Sequence, residues 1–179
     1  MKELYGAKDI SRAVEALADG IIRSDTTLPL AIVGIHTGGV PLARRLLARV
    51  RATHPDAFFG EVDVMLYRDD AGLPLRGPGS MGTDINFDVA DMRIVLVDDV
   101  LYTGRTVRAA IDQLMDLGRP AKIELAALID RGHRQLPIQA DYVGFTVATQ
   151  PSDHIRVELQ EISGRDAVIL TPARERVKK

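Results

Sequence analysis

The sequence predicts an α/β fold, an open and mostly parallel twisted sheet flanked by helices. Three observations carry that expectation. Apolar runs suited to buried strands alternate along the chain with runs at helical spacing. The stretch from Arg93 to Thr106 places a buried strand, an acidic pair and a glycine-threonine loop directly before a helix. A second apolar strand, Leu30 to Gly34, likewise runs into a glycine turn and a helix.

The elements follow in order. Ile10, Ala13, Val14, Leu17, Ile21 and Ile22 recur at helical spacing and predict an amphipathic first helix. Leu30 to Gly34 reads as a buried strand, and the turn at Gly38-Gly39 opens a helix with Leu42, Leu46, Leu47 and Val50 on one face. Glu61 to Leu66 alternates polar and apolar residues, the pattern of an edge or half-covered strand. Residues from Asp69 to Asp91 are rich in Gly and Pro and lack a period, and loops of that length in compact domains are usually functional. Val95 to Val97 suits a central strand. Val107, Ala110, Ile111 and Leu114 then mark a helix that Gly118 and Pro120 end. Ile123 to Ile129 is another apolar strand, and Tyr142-Val143, Ile155 to Leu159 and Val168 to Leu170 predict short ones. No repeat or linker interrupts this order, so one domain over residues 1–179 is expected.

Ligands of open α/β sheets bind beyond the carboxyl ends of the strands, which is where the Asp98-Asp99-Val100-Leu101-Tyr102-Thr103-Gly104-Arg105-Thr106 segment falls. Thr103 and Thr106 are candidate helix caps, and Gly104 lets the backbone approach a ligand closely. Unpaired amides and the helix dipole there make an anion site. The acidic pair would repel phosphate, so its partners should be hydroxyls or a metal carried by the ligand. A sugar phosphate satisfies both halves. A solvated strand end would also explain the acids, and the receiver domain is a sharper rival. A receiver, however, carries its acidic pair near the start of the chain, whereas this pair lies past the midpoint.

Here the residues carry a resemblance. Ile94 to Thr106 resembles the 5-phosphoribosyl-1-pyrophosphate (PRPP) signature of type I phosphoribosyltransferases, and its ending is similar to that of the PyrR family of pyrimidine operon regulators and uracil phosphoribosyltransferases. Leu66-Tyr67-Arg68-Asp69-Asp70 and the run from Asp130 to Ile138 resemble two further blocks of that family, in the same order. The resemblance implies a type I phosphoribosyltransferase fold with a flexible loop and a small hood. It implies transfer of ribose 5-phosphate from PRPP to uracil, giving UMP and pyrophosphate, with Mg2+ carried mainly by PRPP and no protein metal site. Asp98 and Asp99 would hold ribose hydroxyls and Tyr102 to Thr106 the 5-phosphate. Thr37, Gly38 and Gly39 would offer backbone donors to pyrophosphate, and the long loop would fold over the reaction. Members often carry basic residues at the positions of His36 and Gly38, so the Gly-Gly form here is closer to purine transferases and leaves His36 or Arg68 to neutralise the pyrophosphate. Arg68 is also implied as a catalytic contact, because a guanidinium fork suits phosphate oxygens.

Asp130 and Arg131 would lie near the base. Purine transferases usually place a Lys at the position of Asp130, and an Asp does not suit a 6-oxo group. Uracil would present its polar edge to the backbone near Ile155 and Val157. An ordinary solvated turn is the bland reading of Arg131, His133 and Arg134, and it stays open for His133. The run Gly77-Pro78-Gly79-Ser80-Met81-Gly82 satisfies the dinucleotide pattern, but no strand precedes it and no helix starts there.

Composition bounds the alternatives. No Cys is present, which excludes disulfides, a thiol nucleophile and Cys-based metal sites. Neither a signal segment after Met1 nor a long apolar run is seen, so a cytoplasmic protein without membrane contact is expected. The formal net charge of -2 argues against binding nucleic acid by charge alone. Many members of the family bind leader RNA, yet Glu15 and Asp19 stand where RNA-binding members tend to have non-acidic residues, and Phe145 where they often have Lys. An attenuator with little catalysis and a purine-base transferase therefore stay open as alternatives. A homodimer or higher homo-oligomer is expected.

Overall fold

The computed structural model describes residues 1–24, 27–64 and 82–173. Arg68 and its neighbours, and residues 77–81 of the glycine-rich run, lie outside them. In chain order the elements are β1 (Lys2–Gly6), α1 (Ala7–Arg23), β2 (Leu30–Ile35), α2 (Gly39–Val50), β3 (Phe58–Val62), β4 (Arg93–Leu101), α3 (Arg105–Leu117), β5 (Lys122–Asp130), β6 (Tyr142–Thr146), β7 (His154–Glu158), α4 (Gln160–Ser163) and β8 (Ala167–Thr171). β3-β2-β4-β5-β6 form a parallel sheet, and β1-β8-β7 form a smaller antiparallel one.

The alternation of side chains along each parallel strand explains why these strands read as unbroken apolar runs. On β4, Val95 and Val97 pack with α1 and α2, while Ile94 and Leu96 pack with α3 and Val89 on the opposite face. β2 divides the same way, with Leu30 and Ile32 on one side and Ala31, Val33 and Ile35 on the other. A strand covered on both faces has no polar face to show. The edge strand β3 keeps the half-covered pattern that its sequence predicts, but it starts at Phe58 rather than Glu61.

Three expectations shift. The acidic pair does not end its strand, because β4 continues through Leu101, with Asp98 opposite Ala127 and Leu101 opposite Asp130. The capping position of α3 is Gly104, with φ at 90° and no side chain to offer, while Thr103 supplies its hydroxyl to the first helical amide from one residue earlier and Thr106 lies inside the helix. β1 was not foreseen: five residues at the amino terminus pair with β8, so both ends of the described chain build the small sheet that answers to the hood.

Topology places the site. The connection from β2 leads outward to β3, whereas that from β4 leads the other way, to β5. The two loops that leave adjacent strands in opposite directions, 36–39 and 102–104, therefore open a crevice at the carboxyl edge of the sheet. Arg45 of α2 ties the small sheet to this edge through Glu161, at 2.6 Å, and Asp166, at 2.7 Å. Among the described residues no helix is long and apolar enough to cross a membrane.

Candidate active site

β4 delivers two carboxylates to the crevice. Asp98 is buried, and its Oδ1 accepts the Asp99 amide at 3.0 Å. Asp99 turns its own Oδ1 to the Val100 amide at 2.9 Å. Burial pushes the Asp99 carboxyl up from its ordinary value, and the hydrogen bonds with Asp98 and the Val100 amide offset only part of that rise. Two carboxyls this close hold a proton more firmly than either would alone. A hydroxyl donor or a cation brought between them would relieve that.

The backbone then turns from strand to helix. Gly104 at positive φ makes the turn, and Thr103 Oγ1 accepts the Arg105 amide at 3.4 Å. The first amides of α3 have no intrahelical acceptor and point outward at the positive end of the helix dipole. Around them lies a cavity of about 560 Å³ lined by every residue from Asp98 to Val107, with Arg131, Gln135, His154 and Ile155. That size suits a small-molecule ligand. The cavity joins Asp98, Asp99, Val100, Leu101, Tyr102, Thr103, Gly104, Arg105 and Thr106 with Arg131 and Ile155, all expected from the sequence, and leaves Asp130 and Val157 out of its lining.

The loop after β2 reaches the same place from the side. The His36–Thr37 peptide is cis. Gly39 packs so tightly on β4 that a Cβ there would sit 2.1 Å from the Val97 carbonyl oxygen, and at Gly38 a Cβ would meet Asp99 Oδ2 at 2.3 Å. The glycine pair is thus the condition for this loop to touch the acidic residues. His36 points elsewhere: its Nε2 lies 2.9 Å from Glu61 Oε2, and with Thr37 it borders a neighbouring cavity of about 210 Å³.

The segment after β5 is no solvated turn. Arg131 is buried, donates to the carbonyls of Asp153 and Gln150 at 3.0 and 2.9 Å, and stacks 4.2 Å from the Tyr102 ring centre. It fastens the turn before β7, and so places His154 and Ile155. Asp130 spends its carboxylate on Arg134 and the Gly132 amide; burial alone would raise its pKa, but these bonds outweigh burial and hold it low. Arg134 also donates to the carbonyls of Tyr102, Gly132 and Ile138. Sequence reasoning weighed a solvated turn for Arg134 and gave it no role of its own. The i,i+4 spacing of Asp130 and Arg134 was the available signal.

Magnesium can be weighed against these donors. Among the described residues no three His, Cys, Asp or Glu side chains gather as a metal cage. Asp98 and Asp99 supply hard oxygen donors suited to an ion already chelated by a ligand.

Comparison with known proteins fits this arrangement. A family model described as the phosphoribosyl transferase domain matches residues 1–162. A hypoxanthine phosphoribosyltransferase from Staphylococcus aureus shares the fold at a TM-score of 0.65 and 21% identity, over 82% of this chain and 77% of that one. The chain belongs to the phosphoribosyl transferase family and is an enzyme of that class. Within the class the likeness narrows. The bifunctional protein PyrR of Deinococcus radiodurans is 48% identical over 169 residues, 93% of this chain and 92% of that protein. That of Clostridioides difficile is 46% identical over 172 residues, 94% and 96% of the two chains. The chain belongs to the PyrR family.

Proposed function

We propose that this protein, acting as one domain over residues 1–179, transfers ribose 5-phosphate from PRPP to uracil, releasing pyrophosphate and forming UMP. The observation that carries the reading is the pairing, in one cavity, of two adjacent carboxylates, Asp98 buried and Asp99 half-buried, with the open amino end of α3. The helix end suits the 5-phosphate, with Thr103 to Thr106 around it. Asp98 and Asp99 suit the ribose hydroxyls and lie where positive charge grows on the ring as the bond from C1 to pyrophosphate breaks. Fixed negative charge at that point lowers the barrier without any covalent intermediate. Thr37, Gly38 and Gly39 face the leaving group with backbone donors. Arg68, outside the described residues, remains a pyrophosphate contact on the resemblance alone. Magnesium, held mainly by PRPP, would screen the charge of the leaving group when bound. Uracil fits beside Ile155, with N1 toward C1. Asp130 serves this arrangement by holding Arg134 rather than by touching the base.

A second reading, binding of leader RNA, draws support from the word bifunctional in the relatives' names. The surface proposed for it is poor in free positive charge. Glu15 pairs with Arg49 at 2.6 Å, and Asp19 is exposed. Phe145 stacks on Tyr5 with ring centres 3.8 Å apart, so it is a packing residue.

Uracil, hypoxanthine, guanine and orotate should be offered with PRPP, and pyrimidine-operon leader RNA should be tested by filter binding. Uracil alone should give nucleotide, and RNA should bind weakly, with a shallow salt dependence that reflects few phosphate contacts. Preference for hypoxanthine would move the base assignment to purines. Tight, sequence-specific RNA binding with negligible turnover would make regulation the function.

A further inference from the structure

Glu61 of β3 has no part in the reaction as drawn above, yet its carboxylate is 13% exposed and sits between the Arg44 guanidinium and the His36 imidazole. Oε1 accepts the Arg44 guanidinium at 2.5 Å, and Oε2 lies 2.9 Å from His36 Nε2. The second contact is close but not aligned as a hydrogen bond. Its backbone is held on both sides. It runs parallel to Gly34 of β2, and its N–H and C=O exchange hydrogen bonds with Asp84 at 2.9 and 2.8 Å. The carboxylate therefore has little freedom to follow its partners; they are drawn to it.

His36 opens the loop that runs through the cis peptide to Gly38 and Gly39. Its side chain is 8% exposed, and its amide donates to the Val62 carbonyl at 2.9 Å. Arg44 lies on the helix that follows the loop, with its guanidinium 4.5 Å from the Phe59 ring centre. The residue that opens the loop and the helix that follows it thus both meet one acid on β3.

We propose that Glu61 is a positioning residue for phosphoribosyl transfer. By holding His36 and Arg44 outside, it sets the loop so that the backbone of Thr37 to Gly39, and not the imidazole, faces the leaving pyrophosphate. The proposal rests on the reading of this loop as the pyrophosphate side of the site.

The test is calorimetry of PRPP and of pyrophosphate, which needs no base, with uracil kinetics alongside. Glu61→Gln keeps shape and removes charge. It should weaken both ligands by about fivefold to tenfold while kcat and the uracil KM stay within about twofold. Arg44→Met, at an exposed position, should give a smaller change in the same direction and serves should Glu61→Gln fold poorly. Adding His36→Gln to Glu61→Gln should cause little further loss, since both act through one contact. A lower melting temperature with unchanged PRPP affinity would make Glu61 merely structural and overturn the proposal. A full, additive loss from His36→Gln would make the imidazole a direct ligand and overturn it as well. Wild-type protein that binds PRPP without using uracil would defeat the base assignment and leave this result standing. Failure of the wild type to bind PRPP would overturn both.

Discussion

The two ends of β4 bury charge in opposite ways. At the amino end Arg93, 1% exposed, donates Nε to Glu124 Oε2 at 2.6 Å and reaches the Ile21 carbonyl and the Tyr142 hydroxyl, each at 3.0 Å. Lys122 and Tyr142 close around the other Glu124 oxygen at 2.7 and 3.0 Å. At the carboxyl end, a few residues along the same strand, two carboxyls lie side by side. Burial raises the pKa of Glu124 and Asp99 alike. At Glu124 the lysine and arginine outweigh burial and hold the carboxyl low; at Asp99 the available hydrogen bonds do not, and the carboxyl stays high. The first end pairs its charges within the protein and serves the fold. The second turns its two carboxyls to the cavity beyond the sheet.

The contrast can be broken first at the paired end. Glu124→Gln would leave the Arg93 guanidinium buried among neutral partners, and removing one member of a buried pair costs about 3–5 kcal/mol. The melting temperature should fall by roughly 10 °C, measured by scanning calorimetry, with turnover of the folded fraction preserved. A loss within experimental error would mean that this cluster is not what secures the sheet's lower edge.

At the other end the effect should fall on rate. Changing both Asp98 and Asp99 to Asn keeps the shape and removes the charge that faces the ring, which should reduce kcat by on the order of a hundredfold. Circular dichroism should report an intact fold. Near-normal turnover in that protein would mean that the acidic pair does not face the reacting sugar.

The same contrast explains what the sequence revealed and what it hid. Strands covered on both faces announce themselves as apolar runs, which is why β2, β4 and β5 were legible. The acidic pair and Gly104 were legible because local chain order alone brings them to a helix end. β1 was not, since Lys2 to Gly6 has neither period nor apolar run and becomes a strand only by pairing with β8, at the far end of the chain. Arg134 and Glu61 stayed hidden for a related reason. Their roles come from partners on neighbouring strands and loops, and an isolated charged residue looks the same in sequence whether it faces solvent or a carbonyl. Gly38 shows the middle case: the turn was visible, but the need for glycine comes from Asp99, on a neighbouring strand.

A smaller effect, of opposite sign at the two ends, follows from the pKa shifts. Asp99 has a folded-state pKa above its ordinary value. The stability of its protonated form is therefore present at low pH and lost as pH rises through the raised value, above which the charge works against the fold. Glu124 has a lowered pKa, and its stabilising charge is present above the ordinary value and lost as pH falls through the lowered one. Asp99→Asn, which imitates the protonated form, should thus melt above the wild type once pH has risen through the raised Asp99 value. The gain should vanish toward acid pH, where the wild-type carboxyl is already neutral. The penalty of Glu124→Gln should shrink in a different window, as pH falls below the ordinary Glu value and through the lowered one, because the wild type then loses the charge too. Melting temperatures of the three proteins across both windows would separate the two ends. An Asp99→Asn protein that melts below the wild type above the raised Asp99 value would show that the acidic residues are held by the fold rather than against it.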